Sequence, residues 1–205
     1  RAATVRTMTR RSAFVPASRC SLLLLATAAV LGCGGAAPVV QETTPFTEQD
    51  ATLFDRGVSY IADPAALGGG WEAEWAEALE LRVQHSDAVA IATGHTFRED
   101  TNPRQQRTYR VSLTLDTRLY GELPDELELI SRLGYEGFES VNGQESRILQ
   151  RQFVVFVKWQ LNEETGAVEA AFHLEPASET VQARVRELVE RMHGVANGPR
   201  TTVHY

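Results

Sequence analysis

The 205-residue chain holds two cysteines, one lysine and no apolar run long enough to cross a bilayer as a helix. Each shortage excludes something. A membrane-spanning helix needs ~20 consecutive apolar residues, and the longest stretch, Leu22–Leu31, has half that number. Cys20 and Cys33 both lie near the start, so everything after them has no disulfide to form and no thiolate nucleophile. The triple glycine Gly68–Gly70 is followed by no Lys-Ser/Thr pair, so it is not a phosphate loop. G-x-S-x-G, S-x-x-K and H-E-x-x-H are missing throughout, which removes the motif-bearing hydrolases. The five histidines are scattered. His85 with Asp87, and His95 with Glu99 and Asp100, sit a strand length apart, ~30 Å at most. A zinc site needs three or four ligands converging, so no metal and no cofactor is expected.

What the chain does have is a charged, then apolar, beginning. Arg1, Arg6, Arg10, Arg11 and Arg19 are the only charges before Leu22–Leu31, the layout of a secretory signal. The run ends in Val30-Leu31-Gly32-Cys33, which resembles the lipobox of bacterial lipoproteins: an aliphatic residue three before the cysteine, a small residue, then the cysteine. The resemblance implies cleavage before Cys33 and attachment of diacylglycerol to its thiol, with the membrane as a partner. Several acyl chains, at ~0.8 kcal/mol per buried methylene, anchor stably where one is marginal. Gly34 rather than Asp follows Cys33, which in the enterobacterial sorting rule favours the outer membrane. Met8 is the expected start. Thr9–Phe14 also resembles a twin-arginine motif with Phe14 one place late; a plain basic n-region is the simpler reading.

Loss of residues 1–32 would leave 15 basic against 27 acidic residues, a net charge of −12. Such a domain is repelled by phosphate backbones, so nucleic acid is not an expected partner.

Residues 33–46 read as a lipidated flexible tether and 47–70 as a helical lead-in, with Thr47 as N-cap. An amphipathic helix is expected from Trp71 to about Gln84, with Trp71, Trp75, Leu79 and Val83 along one stripe. The periodicity then switches to two. Asp87–Thr96, Tyr109–Tyr120, Leu127–Ile130, Phe153–Trp159 and Val168–Leu174 read as five strands. One or two helical turns fit Glu145–Gln152. Pro176-Ala177-Ser178 opens a C-terminal helix to about Met192, and 195–205 is a loose tail.

Five strands with a long excursion between third and fourth predict an α+β fold: a small five-stranded antiparallel β-barrel flanked by two amphipathic helices, over 71–194. The order resembles the oligonucleotide/oligosaccharide-binding architecture. The segments Ser86–Val89, Leu119–Pro124 and Phe153–Phe156 resemble netrin-like domains of metalloproteinase inhibitors. That family's cysteine framework is missing here, and no functional residue carries over.

Two candidate binding features remain. Arg98, Arg104 and Arg107 make the loop between the first two strands the most basic patch of an acidic domain, suited to an acidic envelope protein or an anionic glycan. A plain solvent-exposed hairpin loop is the competing reading. Trp71 and Trp75, one turn apart, either form a stacking platform or seal their helix onto the core. The sequence points to a membrane-anchored envelope lipoprotein acting as a non-enzymatic binding or structural module. A netrin-like protease inhibitor and a hydrolase with a dispersed site are the alternatives.

Overall fold

The computed structural model describes residues 45–162 and 166–194. The predicted signal, nearly all of the tether with Cys33, and the tail lie outside them. The fold is α+β. In chain order the elements are α1 (Glu48–Leu53), β1 (Gly57–Val58), α2 (Gly69–His85), β2 (Ala88–Thr101), β3 (Arg107–Tyr120), β4 (Glu126–Arg132), α3 (Phe138–Val141), α4 (Glu145–Ile148), β5 (Gln152–Leu161), β6 (Val168–Pro176) and α5 (Glu179–His193).

The strands form one sheet in the order β1-β6-β5-β2-β3-β4. β2, β3 and β4 are a meander, and the long excursion returns β5 beside β2, a Greek-key arrangement. Two features correct the expected five-stranded antiparallel barrel. A sixth strand, β1, joins the sheet parallel to β6, with Gly57 and Val58 opposite His173 and Leu174. No ladder joins β4 to β6, so the sheet curls without closing. Bulges in the β2–β3 ladder, between Val89 and Ala90, Ile91 and Ala92, and Gly94 and Thr96, supply curvature. Across the open seam, Glu169 on β6 takes Arg132 of β4 at 3.1 Å and Arg56, just before β1, at 3.3 Å.

The central strands are apolar on both sides because both sides are covered. Ala88, Ala90, Ala92, Phe153, Val155 and Val157 face the inside of the curl, where they meet Leu113, Leu129, Phe138 and Ile148. Val89, Val154 and Phe156 face the other way, onto Leu79 and Val83 of α2 and Val181, Val185 and Leu188 of α5. This accounts for the continuous runs Ala88–Ala92 and Phe153–Val157.

The lead-in is only partly helical. Thr47 and Asp50 form a reciprocal capping box on α1, but the helix ends at Leu53, and Arg56 turns the chain with φ of 61°. Gly57 then runs against Gly137: a Cβ on either would collide with the other's backbone. The close approach explains why a two-residue strand, invisible as periodicity, forms here.

Candidate functional site

The described residues hold two kinds of charged cluster, one sealed and one open. In the sealed one, His173 Nδ1 lies 2.8 Å from Asp55 Oδ1, and Arg82 donates to Glu175 Oε1 at 2.9 Å. His173 Nε2 is 3.4 Å from the same Glu175 oxygen, close enough for an ion pair but without hydrogen-bond geometry. The Asp55 carboxylate also accepts from the Gly57 amide, so the cluster ties β1 to β6. Two cations against two anions leave it neutral only when the imidazole carries its proton. Burial alone would lower the His173 pKa, but the flanking Asp55 and Glu175 carboxylates outweigh it and raise it. Burial likewise works to raise the Glu175 pKa, and the His173 and Arg82 charges hold it below its usual value.

Stability should follow pH accordingly. The native state holds the His173 proton more tightly than the unfolded chain. That contribution is complete below the ordinary imidazole value of about 6.5 and is lost as pH climbs through the raised one. Denaturant titrations across this range should show stability declining on the alkaline side, and His173→Gln should remove that decline. An unchanged slope in the variant would assign it elsewhere.

The imidazole–carboxylate pair resembles part of a hydrolytic triad, but His173 and Glu175 are only 6 % and 1 % exposed. Of the pair only Asp55 is partly exposed, in the wall of a groove beside Arg56, while the imidazole itself is covered. Among the described residues no group of three metal-ligating side chains is placed to hold an ion.

The open cluster lies just beyond the C-terminal end of β6. A groove of about 470 Å³ runs between the segment after β1, the α4 turn and the β6–α5 junction. Tyr60 and Arg147 stack on one another in its wall, with the guanidinium 3.7 Å from the ring centre. Arg151 and Ser146 line the same groove, and Phe153, Pro176 and Ala177 give it an apolar side. No carboxylate lines it. Arg147 and Arg151 are both exposed and form no ion pair among the described residues. The Tyr60 hydroxyl donates to the Ser140 carbonyl at 2.8 Å, which fixes the ring under the guanidinium. Burial raises the Tyr60 pKa against the opposing pull of Arg147, so the phenol stays neutral at physiological pH.

Arg151 is positioned by the backbone. Gln150 sits at φ of 58°, a left-handed conformation that costs a side-chain-bearing residue ~1–2 kcal/mol. Two hydrogen bonds hold it there: the Gln150 amide to the Gly94 carbonyl at 2.7 Å, and the Gly94 amide to the Arg151 carbonyl at 3.0 Å. A second groove of about 310 Å³ beside Arg56 and Tyr135 is different. There the guanidinium lies 4.2 Å over the Tyr135 ring and is already bound to Glu169 and Gln160.

The residues singled out from sequence lie elsewhere. β2 and β3 extend the hairpin until only residues 102–106 turn between them, wrapped around the Asn102 side chain. Arg107 donates to Asn142 and Tyr109. Arg98 stands opposite Arg110, which itself binds Asp100 and Glu128. Arg98, Arg104 and Arg107 therefore spread over a strand, a turn and a tethered strand end. Trp71 is 70 % exposed in the first turn of α2, whereas Trp75 is half-buried against the helix-side core. The two rings occupy different environments. Sequence reasoning missed Tyr60, Arg147 and Arg151; the two arginines are neighbours in the chain, but Tyr60 joins them only through tertiary structure. The one local signal was that neither arginine has an acid three or four residues away, where a solvated helical arginine commonly finds its partner. Comparison of the chain with protein-family models, with curated proteins and with solved structures found no match.

Proposed function

We propose that this protein is a lipid-anchored, non-enzymatic binding module of the bacterial cell envelope that takes its ligand in the Tyr60–Arg147–Arg151 groove. The observation that carries the reading is a concave site with two uncompensated guanidinium groups and no carboxylate, on a chain of net charge −7. Cations kept apart from the abundant acids of the same surface are available to an outside anion. The lipobox-like Val30–Cys33 segment supports the anchor. The meander with β5 and β6 returned beside it supports a partly open barrel of the oligonucleotide/oligosaccharide-binding type.

Cys33→Ala should abolish labelling by a fatty-acid analogue and leave the chain soluble or uncleaved in fractionated cells. Persistent labelling would place the lipid elsewhere or remove it from the account. For the binding role, cross-linking from the native envelope should recover a partner with the unaltered protein and lose it with Arg147→Ala/Arg151→Ala. Recovery unaffected by the double substitution would move the binding face away from the groove.

A further inference from the structure

We propose that the group recognised in this groove is a phosphoryl group, carried on a mono- or diester whose organic part lies on the apolar side. This rests on the reading of the groove as the ligand site. Three observations narrow the chemistry.

The first is charge. Two guanidinium groups line one groove without an acid. A carboxylate supplies one negative charge, whereas a phosphate monoester brings about −1.5 to −2 and three acceptor oxygens. The second is the posture of Arg147. Its face is occupied by the Tyr60 ring at 3.7 Å, so its planar edge of N–H donors is what remains to be used. That edge matches the spacing of phosphate oxygens and can engage two at once. The ring contact also holds a side chain that would otherwise lose considerable rotamer entropy on binding. The third is polarity. Phe153, Pro176 and Ala177 form an apolar flank beside the arginines, a surface for the carbon skeleton of an ester and of no use to free phosphate. Helix α5 opens at the same rim behind its cap Ser178, but Glu179 in its first turn offsets the field of the helix end, so the arginines alone set the charge of the site.

Phosphate esters with an apolar part reach an envelope protein from two sources, soluble metabolites and phospholipid headgroups. The experiment separates them. The full chain in uncharged detergent is titrated calorimetrically with phenyl phosphate and with benzoate. The full-length Cys33→Ala variant, freed of its anchor, is sedimented with vesicles of phosphatidylcholine containing phosphatidylglycerol.

Phenyl phosphate should bind saturably and at least tenfold tighter than benzoate. Arg147→Ala and Arg151→Ala should each weaken it at least tenfold, and Arg98→Ala should leave it unchanged. Arg147→Lys, which keeps the charge and loses the fork, should fall between. Co-sedimentation with the same arginine dependence assigns the site to a lipid headgroup; phenyl phosphate binding without it assigns a soluble ester. Benzoate binding as tightly, still dependent on both arginines, would overturn the phosphoryl assignment and leave the groove as the ligand site. Saturable binding of neither anion and no vesicle capture, or binding indifferent to Arg147 and Arg151, would overturn both. Both arginines are exposed, and unchanged circular dichroism of the variants would establish that lost binding is not lost fold.

Discussion

Glu175→Ala should destabilise the domain by about 4 kcal/mol, because removing one member of a buried ion pair leaves the other charged and unpartnered. Arg82 would keep a bond from its Nε to the Leu53 carbonyl, but its guanidinium would face no carboxylate at Glu175's place. His173 would retain Asp55 alone. For a chain of this size each kcal/mol moves the thermal midpoint ~2–4 °C, so a drop of roughly 12 °C is the expected reading. The diagnostic is the double variant. Arg82→Met/Glu175→Met removes both charges and fills the space with apolar atoms, an exchange that is often neutral. It should be more stable than the sum of its single variants by about 2 kcal/mol. Strict additivity would show that these side chains do not act as a unit.

Gly94→Ala should cost about 3 kcal/mol, at the upper end for an overpacked interior. A methyl group on Gly94 would overlap the Ile148 carbonyl, at the end of α4. Relief requires moving the strand or the turn. Moving the turn breaks the two hydrogen bonds that hold Gln150 and Arg151, so ligand affinity should fall along with stability. Gly143 provides the contrast. It has φ of 70° with open space around it, so it needs a left-handed conformation and not smallness. Asparagine tolerates that conformation, and Gly143→Asn should be nearly neutral while Gly94→Asn is as damaging as alanine. Equal effects at the two sites would contradict the close-approach argument.

The strands were legible because burial on one or both faces writes a period into the residues. Ala88–Ala92 and Phe153–Val157 are covered on both faces, and Val111, Leu113 and Leu115 alternate because β3 carries polar residues on its other face. Helix starts at Thr47 and Ser178 were legible because capping is local chemistry. β1 was not. Two residues carry no period, and what makes Gly57 a strand residue is Gly137, eighty positions on. Barrel closure was equally hidden, since whether β4 meets β6 depends on accumulated curl and not on either strand's composition. The groove failed to show for a related reason. Tyr60 lies in one stretch and Arg147 and Arg151 in another far along the chain, and only the fold of the excursion between β4 and β5 brings the two together. The basic loop drew notice because its arginines are close in sequence; ladder pairing then consumed or dispersed them.

The strap made by β1 sets an order of events as the chain is made. Asp55 meets His173 across 118 positions, and Glu169 at the seam meets Arg56 across 113. The meander β2–β3–β4 can form from neighbouring residues, but the strap, although it meets Gly137 and Ser140 earlier, lacks its strand partner until β6 has been synthesised. Closing so large a loop is entropically slow. The N-terminal segment therefore docks last, and it should come loose first when the domain opens. A protease acting near residues 55–62 would register that opening before any other part of the sheet is released.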